Sequence, residues 1–115
     1  MDDRLQKALE HSNYKVALGT QRENMKMRFA NTCVIGKNGG LFTVSPTLIS
    51  FVALLVQREQ TTAILIDDKG NPIRIEELSD FLDDIVSTWN EATNEFFSEH
   101  EKLRKARTVK AVVGL

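Results

Sequence analysis

The stretch EELSDFLDDIVSTWNEATNEFFSEHEKLRKART, residues 76–108, decides how the rest of the chain is organised. Apolar or weakly polar side chains recur in it every three or four residues, which is the spacing of one face of an α-helix. They are Leu78, Leu82, Ile85, Trp89, Ala92, Phe96, His100, Leu103 and Ala106. At about 1.5 Å per residue the helix would be about 50 Å long. Part of this face must therefore be covered by another long helix, from this chain or from a partner.

Length and composition are those of one soluble domain. The chain has 115 residues, of which 42% are hydrophobic and 27% charged, and its net charge is −1. The balanced charge gives no overall bias toward nucleic acid or anionic membranes. The single Cys33 excludes an intrachain disulfide and fits a reducing compartment. No signal peptide opens the chain, and the longest apolar stretch, residues 48–56, is shorter than the roughly 20 residues of a membrane span. We expect a cytoplasmic protein.

Residues 3–31 predict a second long helix. Its expected apolar face is formed by Leu5, Leu9, Ser12, Val16, Gly19, Glu23, Met27 and Ala30. Gly19 lies in the middle of this helix, where glycine costs about 1 kcal/mol relative to alanine. It marks either the close approach of a neighbouring helix, at Trp89 or Phe96, or a weak point; both interpretations stay open.

Two hairpins and a short helix are predicted between the long helices. Residues 32–35 and 41–44 are strand-like runs on either side of Gly36–Gly40, whose Asn-Gly pair is a hairpin signal. Ser45 and Pro46 are typical of a helix start, and the apolar residues 48–56 predict the most buried element. Residues 62–66 and 72–75 form a second hairpin around the turn 67–71, in which Pro72 restricts its strand to an edge or a first position.

The expected fold is α+β, in the order α-ββ-α-ββ-α. A four-stranded antiparallel sheet surrounds a buried central helix, within a single domain of residues 1–115. Residues 1–31 and 76–108 are helical arms, and residues 32–75 form the platform. Both long helices begin acidic and end basic, so an antiparallel pair brings opposite charges together.

The last helix has more aromatic surface than one partner helix covers, which predicts an interface. The expected contact residues are Trp89, Phe96, Phe97, Leu103 and Val112. A basic cluster near the end of the same helix is a possible nucleic-acid contact, although cations also stabilise a helix C-terminus. Its members are Lys102, Arg104, Lys105, Arg107 and Lys110.

No arrangement of residues indicates a reaction. Cys33 lies in a predicted strand, and the only histidines, His11 and His100, do not make a metal site without a third ligand. The turn 67–71 lacks the spacing of a calcium loop, and residues 36–40 lack that of a phosphate loop. The carboxylates at the start of the last helix, Glu76, Glu77, Asp80, Asp83 and Asp84, fit a solvated face or a charged helix edge.

Two resemblances follow from this arrangement. Hairpins carried between long terminal helices resemble the alpha-type subunit of prefoldin in architecture alone. The segments MDDRLQKALEHSNYKV, NGGLF, LISFVALLV, IDDKGNPIRIEELSDFL, WNEATNEF and EKLRKARTVK together resemble a family of short proteins of T-even-type marine cyanophages. That resemblance implies a phage-encoded protein, expressed in a bacterial cytoplasm and carried into the virion. It implies no catalytic residues.

The expected function is therefore that of a non-enzymatic phage structural or assembly protein. Such a protein would oligomerise, or dock on a larger particle, through its helical arms. It would need no cofactor, metal, small-molecule substrate or membrane. Two alternatives stay open: a small regulator that contacts nucleic acid through the basic end of the last helix, and a prefoldin-like holdase chaperone.

Overall fold

The computed structural model describes the backbone of residues 3–112 and the side chains of residues 3–106. The described part of the chain is α+β, with three helices and two two-stranded antiparallel sheets. The elements follow the predicted order: α1 (Asp3–Thr32), β1 (Val34–Lys37), β2 (Gly40–Thr43), α2 (Pro46–Gln57), β3 (Ala63–Ile66), β4 (Pro72–Ile75) and α3 (Leu78–Val112). The long N- and C-terminal helices are thus present, and α3 begins two residues later than predicted and extends four residues further.

The chain divides into two compact units. The helix-pair unit combines Met1–Phe29 with Asn94–Leu115, and the hairpin unit is Ala30–Thr93. The hairpin unit therefore takes in the first half of α3 as well as the platform segment 32–75 expected from the sequence.

The first hairpin turns more tightly than its sequence predicts. Strands β1 and β2 pair from Val34 with Thr43 to Lys37 with Gly40. Only Asn38 and Gly39 remain in the turn, and both have positive φ, 52° and 83°. These angles are those of the type I′ turn that Asn-Gly favours, because its twist matches the twist of the strands.

The hairpin unit has its core under the first half of α3. The side chains of Leu78, Phe81 and Ile85 are completely buried, and the ring of Phe81 meets that of Phe42 edge to face at 5.4 Å. The remaining buried apolar residues of the unit are Cys33, Val44, Val52, Leu65, Ile75 and Ala92. Strands β2, β3 and β4 and helix α2 thus each contribute to this core, whereas β1 does not.

The structure does not confirm the buried central helix. Helix α2 begins as predicted, since the Ser45 Oγ accepts the N–H of Leu48 at 3.1 Å and Pro46 follows as the first helical residue. Val52 is its only fully buried residue, and Phe51 and Leu54 are each about half exposed. Its sequence is apolar on all sides, so the pattern cannot indicate which face is covered.

The structure does not confirm the single four-stranded sheet: within the described part of the chain, β1 pairs with β2 and β3 pairs with β4, in two separate sheets. The β2 edge lies beside the second hairpin, but its hydrogen-bonding groups are occupied by the turn residues Asp67 and Asp68 of that hairpin and not by a strand. Thr43 donates its N–H to Oδ1 of Asp68 at 3.0 Å and its hydroxyl to Oδ2 at 2.6 Å. On the β4 side, Pro72 has no N–H to donate, which interrupts any ladder between the hairpins.

Candidate interaction surface

Helix α1 turns one face toward α3 within the helix-pair unit. Met25 is the only buried residue of α1 among those described, and Tyr14, Leu18 and Phe29 are half-buried. At about 100° per residue these four positions fall within about 60° of one another around the helix axis. The face that α1 uses inside its own unit is therefore narrow, and only one of its four large side chains is fully covered.

The two helices contact each other through an ion pair and a pair of rings. Arg28 donates two hydrogen bonds to Glu99, from Nε at 3.2 Å and from Nη2 at 2.7 Å. The pKa of Glu99 is lowered by the Arg28 guanidinium, and the pKa of Arg28 is raised chiefly by the same hydrogen bonds. Beside this ion pair, one residue further along α1 and three residues earlier along α3, the rings of Phe29 and Phe96 lie 5.1 Å apart and are tilted by 55°.

These contacts join later residues of α1 to earlier residues of α3, so the two segments are antiparallel here. A cavity of about 370 Å³ adjoins the ion pair and continues the same register from Gln21 to Ala106. Because this ion pair is exposed to solvent, it contributes little to stability. Most of the stabilisation of this unit must therefore come from the apolar contacts on either side of it.

The face of α1 that the sequence marked for pairing points away from α3. Leu5, Leu9, Val16 and Met27 are all exposed, Val16 to 66%. At about 100° per residue these four side chains lie within about 40° of one another, roughly opposite Met25. We call these four residues the α1 outer face. Sequence reasoning assigned them to the wrong contact, because periodicity shows that a face is apolar but not which neighbour covers it.

Gly19 belongs to this outer side of α1 as well. A Cβ added at Gly19 would have nothing within 4 Å. The prediction that this glycine marks the close approach of Trp89 or Phe96 is therefore wrong. Ser12 and Ala8, also on this side, are exposed. Small residues at these positions would let another helix come close to the α1 backbone.

The expected contact residues of α3 lie in different surroundings. Phe97 is 65% exposed, whereas Phe96 is half-buried against Phe29. Leu103 is half-buried and lines the cavity beside the ion pair. Trp89 is half-buried in the hairpin unit, and the side chain of Val112 lies outside the described residues. Of the five, Phe97 offers the most free surface among those described.

The basic cluster is only partly free. Lys102 and Lys105 are exposed, while Arg104 binds Glu101 through Nε at 3.1 Å and Nη2 at 2.9 Å. This pair lowers the pKa of Glu101 and raises that of Arg104. The side chains of Arg107 and Lys110 lie outside the described residues. Of the three described cations, Arg104 is therefore paired with a carboxylate, while Lys102 and Lys105 lie on the exposed surface of α3.

The candidate reactive and metal-binding side chains do not lie together within the described part of the chain. The thiol of Cys33 is buried, and this burial raises its pKa, so the reactive thiolate is disfavoured. His11 and His100 are both exposed. In the described residues, no three histidine, cysteine or carboxylate side chains are grouped to hold a metal ion.

A second cavity lies at the start of α3. It measures about 440 Å³, and its walls include Glu76, Glu77 and Asp80. The pKa of Glu77 is raised, first by its hydrogen bond with Asp80 and then by the charge of that carboxylate. Two carboxylates, Glu77 and Asp80, thus lie close together at a helix N-terminus, next to the apolar side chains of Val56 and Leu78.

No protein-family model matches this chain, and neither a curated protein nor a solved structure is significantly similar to it. Among the described residues, no helix combines the length and the apolar character that crossing a membrane requires.

Proposed function

We propose that this protein is a non-enzymatic assembly component that self-associates through the α1 outer face. The observation that carries the proposal is the exposure of Leu5, Leu9, Val16 and Met27 in a single row. The row extends over 22 residue steps, or about 33 Å at about 1.5 Å per residue. An exposed apolar row of this length is typical of a surface that another helix covers.

The chemistry of the row favours a second copy of α1 as the partner. An antiparallel pair related by a two-fold axis at Val16 brings Leu5 of one copy opposite Met27 of the other. On the helix face between the residues of this row, the one charged side chain among those described is Glu23, whose carboxylate lies 3.7 Å from the ammonium group of Lys26 on the same helix. Self-pairing therefore brings no unbalanced like charges together.

Helix α3 offers further apolar surface for association. Among its described residues, Phe97 is the most exposed large apolar side chain. Aromatic residues supply much of the binding energy at interfaces, because they bury a large area at a low cost in side-chain entropy. In the phage setting that the sequence resemblance implies, self-association of this kind suits a particle or assembly component.

The experiment is sedimentation velocity at several protein concentrations, comparing the native chain with a variant carrying Val16→Lys and Met27→Lys. Both residues are exposed, so the helix should keep its circular dichroism spectrum while two charges interrupt the apolar row. We expect the dissociation constant to rise at least tenfold.

The matched control carries Gln6→Lys and Ala17→Lys, which add the same charge to exposed positions of α1 outside the row. It should associate like the native chain. Equal association of the two double variants, or a native chain that stays at 13.0 kDa at high micromolar concentration, would refute the proposal.

A further inference from the structure

The strand edges of the hairpin unit differ in whether their outward-facing backbone N–H and C=O groups have hydrogen-bond partners. On β2, Leu41 donates its N–H to Oδ2 of Asp67 at 3.3 Å, and its carbonyl accepts the N–H of Asp68 at 2.8 Å. The next outward N–H of β2, that of Thr43, binds Asp68 as described above. The two aspartates thus take the place of a neighbouring strand, and the β2 edge is closed to other chains.

The outer edge of β4 is blocked by different means. Pro72 has no N–H, and the carbonyl of Arg74 accepts the side-chain amide of Asn38 at 2.8 Å. Proline and charged side chains are devices by which natural sheets prevent an edge strand from pairing with another chain. Strand β4 carries both devices within four residues, as Pro72 and the charged Arg74.

Strand β3 carries neither device. The N–H of Asp67 binds the carbonyl of Asn71, so the alternation of an antiparallel ladder directs the N–H and C=O groups of Ile64 and Ile66 away from β4. Within the described chain, no hydrogen bond is found for those outward groups. The side chains of Ile64 and Ile66 are 55% and 64% exposed, and the strand Ala63–Ile66 contains no charge and no proline.

We propose that β3 pairs antiparallel with β3 of a second copy of this chain. With a two-fold axis at Leu65, Ile64 of one copy lies opposite Ile66 of the other, and all the outward N–H and C=O groups of both residues find partners. This register forms four backbone hydrogen bonds and places the exposed isoleucines side by side on one face. The result is a continuous four-stranded sheet, β4-β3-β3-β4.

The distribution of charge is compatible with pairing between two copies. The strand itself is uncharged, and the antiparallel register places the acidic turns beginning at Asp67 at opposite ends of the pair, opposite Ala63 of the partner. Joining two hairpins further provides the three or more strands with an apolar face that a small sheet needs for stability.

The edge of β1 is the natural comparison. Its outward residues are Val34 and Gly36, and Val34 is 40% exposed. Glycine at the centre of the strand offers no side chain for cross-strand packing, and Lys37 adds a charge at its end. We therefore assign the pairing to β3 and use β1 as the control edge.

A charge-exchange experiment tests the register. One variant carries Ile64→Glu with Ile66→Glu, and a second carries Ile64→Lys with Ile66→Lys. Each variant alone places like charges opposite each other across the two-fold axis. We expect the dissociation constant of the β3 pairing to rise at least tenfold. An equimolar mixture places glutamate opposite lysine, and its association should recover and weaken again as salt is added. Sedimentation velocity measures all three samples.

Controls keep the result interpretable. Val34→Lys adds charge to the β1 edge and should leave association unchanged. If the charged variants lose their folded spectrum, Ile64→Thr with Ile66→Thr keeps branched strand-forming side chains and should weaken association in part.

The α1 outer face is tested separately. With Val16→Lys and Met27→Lys in place, the strand pairing should persist as a dimer, whereas adding the β3 charges should leave a 13.0 kDa monomer. The inference is wrong if the β3 variants associate like the native chain, or if the mixture shows no recovery.

Discussion

Replacing Gly40 by alanine forces the two hairpins apart. A Cβ at this position would lie 2.6 Å from Cγ1 and 3.0 Å from Cδ1 of Ile73, and 3.3 Å from Cβ of Asp67. Since carbon atoms pack at about 3.5–4.0 Å, Ile73 would have to retreat by about 1 Å. Overpacking of this kind costs about 1–3 kcal/mol. At about 4–8 °C per kcal/mol for a domain of this size, we expect the melting temperature to fall by about 5–20 °C.

Gly36 provides the control for this substitution. Both glycines lie in the first hairpin and neither has a positive φ, but a Cβ at Gly36 would meet only ordinary contacts, at 3.9 Å to the Gly40 carbonyl oxygen and 4.0 Å to Leu41. Alanine is favoured over glycine inside a strand by roughly 0.5–1 kcal/mol. The same chemical change should therefore be neutral or stabilising at Gly36 and destabilising at Gly40.

Urea denaturation followed by circular dichroism measures both free energies of unfolding. Adding Ile73→Ala to Gly40→Ala removes the overlapping atoms, so the double variant should be more stable than the sum of the two single effects predicts, by about 0.5–3 kcal/mol. Equal midpoints for Gly40→Ala and Gly36→Ala would refute the close packing of the hairpins at Gly40.

Three further predictions concern single side chains. The pKa of Asp67 is lowered, chiefly by the hydrogen bond from the N–H of Asn71. Its stabilising contribution is therefore complete above the ordinary carboxyl pKa of about 3.9 and is lost as the pH falls through the lowered value. The urea midpoint should fall as the pH drops below about 4, and less so in Asp67→Asn. The pKa of Glu77 is raised by Asp80, so the charged form is disfavoured in the folded protein and stability falls as the pH rises through the raised value; Glu77→Gln should raise the melting temperature near neutral pH and leave it unchanged once Glu77 is protonated in the native chain. Phe96→Leu removes the ring contact across the helix pair, worth about 0.5–1.5 kcal/mol, and should speed hydrogen exchange at residues 21–29 while amides in the hairpin unit keep their protection.

The local elements were predictable because their causes are local. Asn38 and Gly39 accept positive φ, and Ser45 caps the helix that Pro46 begins, whatever surrounds them. The long helices follow from periodicity alone. The prediction of contact residues on α3 depended on which side chains stay exposed once the chain has folded. Phe96, one of those predicted residues, packs against Phe29.

The amino-acid sequence by itself determined the number, type and order of the helices and strands, because hydrophobic period, caps and turn residues act within a few neighbours along the chain. Tertiary structure alone decided which neighbours meet. It turned Met25 inward and left Val16 exposed, although both lie on one helix, and it placed Asp67 and Asp68 where a third strand would have paired with β2. Those outcomes depend on distances between residues far apart in sequence, and a periodic pattern contains no information about them.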